Sequence, residues 1–157
     1  MVLKTGLVCP IPGKFELASD EEALVIDVNL GGADYFIAPI SNMWGTTNDV
    51  FHRTGSLNRA QSVANADGPY TFVLATKDPV VHNWLDPMDL HEGSLTLRWA
   101  EFAGGKPGVA LGAKSRVVSL DEVRSAVPPD TRFLSESERQ AQLSKRAKSY
   151  AWRVAES

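Results

Sequence analysis

One cysteine in 157 residues excludes an intrachain disulfide and any metal centre built on several thiolates. Cys9 also lacks the setting of a reactive thiol. In Val8-Cys9-Pro10 no histidine or cation adjoins it to lower its pKa, so it reads as a small buried hydrophobe. Also missing is any apolar run approaching the roughly 20 residues of a membrane-spanning helix. Residues 1–14 have neither the long apolar centre nor the small-residue cleavage site of a secretory signal. These absences predict a cytoplasmic chain with no membrane partner.

Positive charge is scarce over most of the length. Residues 1–138 carry 11 Lys and Arg against 18 Asp and Glu, a balance of −7, whereas residues 139–157 carry 5 against 1, a balance of +4. An acidic body lacks the clustered cations that displace phosphate counterions, so no nucleic-acid partner is expected. The basic tail reads first as a solvated helix face. The other reading has it docked on an acidic surface of its own subunit, a neighbour or another molecule.

What is present is mostly strand-like. Residues 23–30 are rich in β-branched side chains and end at Gly31-Gly32; residues 33–40 follow closely enough to predict a hairpin with them. Pro39 suggests an edge or a bulge. A polar strand is expected at 56–64, an Asp67-Gly68 turn, a strand at 69–76, an ordered loop at 80–92 and an alternating strand at 93–102. Gly104-Gly105 reads as a turn. Capping-box spacing at Ser119 and Glu122 predicts a short helix ending before Pro128-Pro129, and the same spacing at Ser135 and Glu138 opens a longer one. Leu143, Ala147, Tyr150 and Val154 form its apolar stripe. The fold class is mainly β: a sandwich over residues 1–118 with a helical tail over 119–157.

Four groups of residues carry a resemblance. They are Ser56-Leu57-Asn58 with Gln61, Asp67-Gly68 with Tyr70-Thr71, Asp78-Pro79 with Val81-His82-Asn83-Trp84-Leu85-Asp86, and Arg98-Trp99. In this order they resemble the bacterial family called domain of unknown function 1214, in particular its actinobacterial-type members. The tail from Ser135 to Arg146 is similar too. The resemblance implies a jelly-roll-like β-sandwich and no established reaction. The family pattern has a glycine where Val80 stands and Thr-Gly where Pro87-Met88 stands, so a different loop geometry is expected here. Members commonly carry a further N-terminal region. The expectation is therefore a standalone version or a separate chain that supplies the rest.

The densest chemical constellation is His82, Asp86, Asp89, His91 and Glu92. His82 or His91 suits a general base near neutral pH, oriented by Asp86 or Glu92; equally, these side chains can serve the backbone of a long loop, with Trp84 plugging the core. No metal site and no cofactor are expected: the His82 to His91 spacing matches no metal motif, and the glycine pairs lack the order of a phosphate loop. Trp44, Phe51, Tyr70, Phe72, Trp84 and Trp99 could line one apolar cavity between the sheets, with Asn42, Asn58, Gln61 and Arg98 as polar fixing points, or could pack solidly. Two functions stay open. One is an assembly or ligand-binding domain, associating with itself or a partner chain and able to hold an apolar small molecule. The other is a cofactor-independent enzyme using His82 and Asp86.

Overall fold

A computed structural model describes residues 9–47 and 49–155, with side chains as far as Trp152. The strands are β1 Cys9–Glu16, β2 Glu22–Asn29, β3 Ala33–Ser41, β4 Ser56–Asn58, β5 Tyr70–Leu74, β6 Trp84–Leu85, β7 Glu92–Phe102 and β8 Gly112–Ser119. They form two four-stranded sheets, ordered β1-β7-β3-β4 and β6-β5-β2-β8. Every pairing is antiparallel except β5 with β6. The mainly β, jelly-roll-like sandwich read from the sequence is what the chain builds, with a short helix α1 (Val123–Ala126) and a long one, α2 (Glu136–Ala155). Among the described residues no helix is long and apolar enough to cross a membrane.

Alternation explains most of the core. In β7, Leu95, Leu97 and Trp99 point inward while Thr96 and Arg98 do not. Between the sheets Phe36 sits 5.7 Å from Phe72 and 5.5 Å from Trp99, ring centre to ring centre, in tilted contacts. Strand β2 is buried on both sides. Leu24, Ile26 and Val28 face the sandwich, while Ala23 and Val25 join Val73, Trp84 and Val123 in a second apolar cluster beneath α1. A strand covered on both faces is apolar almost throughout, which is why residues 23–30 stood out.

Several expectations change. The Gly31-Gly32 turn does not close a hairpin: β2 pairs with β5 and β8, and β3 pairs with β7 and β4 in the other sheet. Gly31 is fixed in a left-handed conformation (φ 53°), and a Cβ there would lie 2.4 Å from that of Leu111, so the turn wedges against the β7–β8 connection and redirects the chain. Pro39 marks neither an edge nor a bulge. The β3–β7 ladder skips Ala38 and Pro39 and resumes in unchanged register at Ile40. The strand expected at 56–64 stops at Asn58, because Asn58 and Gln61 exchange side-chain bonds with each other's backbone and start a 3₁₀ turn, Arg59–Gln61. Trp84 does not plug the sandwich; it lies in the second cluster, with Nε1 donating to the Ala75 carbonyl at 2.8 Å. Ser119 makes no side-chain cap, although a 3₁₀ turn and α1 do follow it. Strands β1 and β8, both exposed edges, lacked the apolar alternation that would have announced them.

Phe72 is fully buried between both aromatic neighbours. Phe72→Ala is expected to cost about 3–5 kcal/mol of stability, read as a lower urea midpoint at unchanged slope.

Candidate functional site

The site is built where α2 meets the sandwich. Ser135 and Glu138 form the expected capping box: the Ser135 amide donates to Glu138 Oε2 at 2.8 Å and the Glu138 amide to Ser135 Oγ at 3.3 Å. From that start, three polar side chains tie the helix to the strands. Arg139 grips Asp78 with Nε and Nη2 at 2.8 and 3.0 Å, donates to the Val81 carbonyl, and lies 5.1 Å over the Trp84 ring. Gln142 donates to the His82 carbonyl at 3.1 Å. Arg146 donates to the carbonyls of Val50 and Ser56 at 2.9 and 2.8 Å and to Ser56 Oγ at 3.0 Å.

The basic tail is therefore a solvated face only in part, at Lys145 and Lys148. Arg139 and Arg146 are both only 5% exposed, while Leu143, Ala147 and Tyr150 of the expected stripe are half-buried. The side chain of Val154 lies outside the described residues. The surface beneath α2 offers carbonyls and a carboxylate, so the helix docks on it through its polar side.

Between α2 and the outer side of β3 and β4 is a cleft of about 800 Å³. Its floor comes from Tyr35 and Ile37 on β3, Ser56, Leu57 and Asn58 on β4, and Ala60, Gln61 and Val63 beyond. His82, Arg132 and Leu134 close one side. The roof is one face of α2: Glu138, Ala141, Gln142, Lys145, Arg146, Ser149 and Tyr150, spaced alternately three and one, as a helix requires of a single face. Asn58 and Gln61 spend their side-chain oxygens on the 3₁₀ turn, and their amide NH₂ groups take no part in those bonds. Two buried polar atoms in cleft-lining residues, Thr54 Oγ1 and His82 Nδ1, have no hydrogen-bond partner among the described residues.

Of the residues singled out in the sequence, the cleft gathers His82, Asn58 and Gln61. His82 Nε2 donates to the Gln61 carbonyl at 3.1 Å; a carbonyl only accepts, so the buried Nδ1 bears the lone pair. Asp86 is not brought to His82. It receives Arg53 Nε and Nη2 at 2.6 and 2.8 Å and the Met88 amide at 2.8 Å, a buried clamp that holds the loop before β7. Glu92, exposed, pairs with Lys14. His91 is exposed and bonds Asp20 at 2.9 Å. The aromatic residues do not line one cavity: Tyr70, Phe72 and Trp99 fill the core, Trp84 lies outside it, and Trp44 is 90% exposed. Arg98 is exposed on the outer face of its sheet, paired in register with Ile37 but outside the cleft walls. Among the described residues no group of three metal-ligating side chains gathers.

Sequence reasoning missed Tyr35, Ile37, Gln142, Lys145, Arg146 and Tyr150. The available signal was the spacing of Arg139, Gln142 and Arg146, at three and then four residues, which puts them on one side of α2. The two departures from the resembled pattern have a structural counterpart. Val80 and Met88 have φ of 57° and 58°, the left-handed region that a glycine enters without strain. The loop thus has a glycine-like backbone at both positions despite their side chains, and Val80 bears the larger penalty because it is β-branched.

No protein-family model matches the chain, and no curated protein matches it. Among solved structures, the chain is similar to the crystal structure of an uncharacterized protein from Burkholderia cenocepacia, with a TM-score of 0.66 and 29% identity. The match covers 74% of this chain and 31% of that one, so it spans about a third of that protein's length.

His82 is held below the ordinary histidine pKa, mainly by burial and also by the charges of Arg132 and Arg139; the Gln61 carbonyl and Glu138 act in the opposite sense. The unfolded chain therefore binds more protons from the ordinary value of 6.5 down to the folded one. This contribution to stability is fully present above that window and is lost as the pH falls through it. The urea midpoint is expected to drop as the pH falls below 6.5, and His82→Gln to flatten that drop.

Proposed function

We propose that this chain is a small-molecule-binding β-sandwich domain whose site is the cleft under α2. The observation that carries the reading is the cleft of about 800 Å³ itself, within the roughly 300–1,000 Å³ usual for ligand sites. Its walls combine apolar surface from Ile37, Val63 and Leu134 with a few polar groups. Behind the wall Thr54 Oγ1 and His82 Nδ1 are buried without partners among the described residues, as Trp99 Nε1 and Thr131 Oγ1 are elsewhere.

Association with a second copy or another chain belongs to the same reading. It is favoured by the far side of the sandwich, where the edge strands β1 and β8 lie side by side and are mostly exposed. A cytoplasmic location suits the lone cysteine and is part of the proposal.

An acid–base enzyme is the second reading, and one observation favours it: His82 is on the cleft wall with its unprotonated Nδ1 unpartnered. The Gln61 carbonyl orients the ring, but the Nδ1 that would take the proton is buried, and Asp86 is committed to Arg53. Binding is therefore the function proposed.

Native mass spectrometry of protein purified from its source tests this directly. The expected result is a mass excess that disappears on denaturation. Ala141→Trp, which fills the cleft from the roof without touching the core, should abolish the excess and leave the melting temperature within a few degrees. A bare mass in the unaltered protein, together with no thermal shift from any apolar small molecule, would contradict it.

A further inference from the structure

The cleft holds more positive charge than its surroundings neutralise. Three cations and one carboxylate line it: Arg132, Lys145, Arg146 and Glu138. Arg132 pairs with Glu138 at 3.4 Å. Lys145 has no hydrogen-bond or ionic partner among the described residues. Arg146 is the more telling case. It is 5% exposed, yet its bonds go to two carbonyls and a hydroxyl and its guanidinium lies 5.0 Å from the centre of the Tyr150 ring, none of these partners being a carboxylate. Buried charges are ordinarily paired with an opposite charge, and an unpaired one is costly. A guanidinium has five N–H groups, three of which are used here, leaving two. Desolvation destabilises the charged form of Arg146, and Tyr150 and Asp49, the latter bonded to His52 at 3.0 Å, offset this only in part.

The sequence concentrates this charge deliberately in one place. An otherwise acidic body carries a tail with a balance of +4, and two of that tail's cations, adjacent in sequence, end in the wall of the cleft. Also in the cleft lining are Ile37 and Val63, apolar and without charge of their own. We propose that the ligand of this cleft is an organic monocarboxylate with a hydrocarbon body. Its carboxylate lies between Lys145 and Arg146, and its body lies against Ile37, Val63 and Leu134. This rests on the binding function proposed above and adds the ligand's charge and class. A planar carboxylate matches the fork of a guanidinium and supplies the single negative charge that Arg146 lacks.

Titration calorimetry on the full chain, with sodium octanoate, 1-octanol and octyl phosphate as probes, separates the possibilities. Octanoate is expected to bind about tenfold or more tightly than octanol, the margin of a charge-assisted bond in a partly buried site. Lys145→Glu, at an exposed position, should remove that preference. Arg146→Lys, checked by its melting temperature, should retain a reduced preference. Equal affinity for octanol and octanoate would overturn the carboxylate assignment while preserving the cleft as a binding site. Octyl phosphate binding as tightly as octanoate would overturn it in favour of a general anion site. No heat with any probe would overturn the binding function and this inference together.

Discussion

Two arginines set the position of everything at the site. Arg139 and Arg146 are seven residues apart on α2, about 10.5 Å along a helix, close to the roughly 10 Å that separates packed sheets. Arg139 holds Asp78 and Val81, on the loop leading to β6 in one sheet. Arg146 holds Ser56, at the start of β4 in the other. The helix thus spans the side of the sandwich like a brace, and Gln142 adds a third tie between them. Neither arginine can leave its place cheaply, since each would have to take up water while stranding buried carbonyls or a carboxylate. The cleft exists because this brace stands off the sheet rather than packing onto it with apolar side chains.

Much of the fold was legible in the sequence, and for plain reasons. Strands β2, β5 and β7 bury large side chains in a regular pattern, so residues 23–30, 69–76 and 93–102 declared themselves. The capping box of α2 is a local signal and was read correctly. What failed was pairing. A Gly-Gly turn between two apolar runs favours a hairpin by local geometry alone, whereas the close contact of Gly31 with Leu111 involves residues 80 positions apart. Edge strands β1 and β8 bury little and so gave no pattern to read.

The site was less legible than the fold. His82, Asn58 and Gln61 were named and do meet at the cleft, but Trp44, Trp84 and Arg98 do not. Aromatic count was a poor guide because large rings fill cores at least as readily as they line cavities, and Phe36, Phe72 and Trp99 do so here. Asp86 looked like a partner for His82 because they are near in sequence; its true partner, Arg53, is 33 residues away. The charged roof of the cleft was hidden for a related reason. Arginine in a basic tail normally lies in solvent, and only the surface under α2 gives Arg146 something to bond.

The account stands on α2 being a fixed wall of the cleft, which amide hydrogen exchange measures most directly. In the intact protein, the amides from residues 140 to 149 are predicted to be protected to a degree comparable with β2 and β5. Arg139→Met should release that protection while leaving both strands protected. Helix amides that exchange in the unaltered protein at the rate of an undocked helix would contradict the account, as would full protection in the variant.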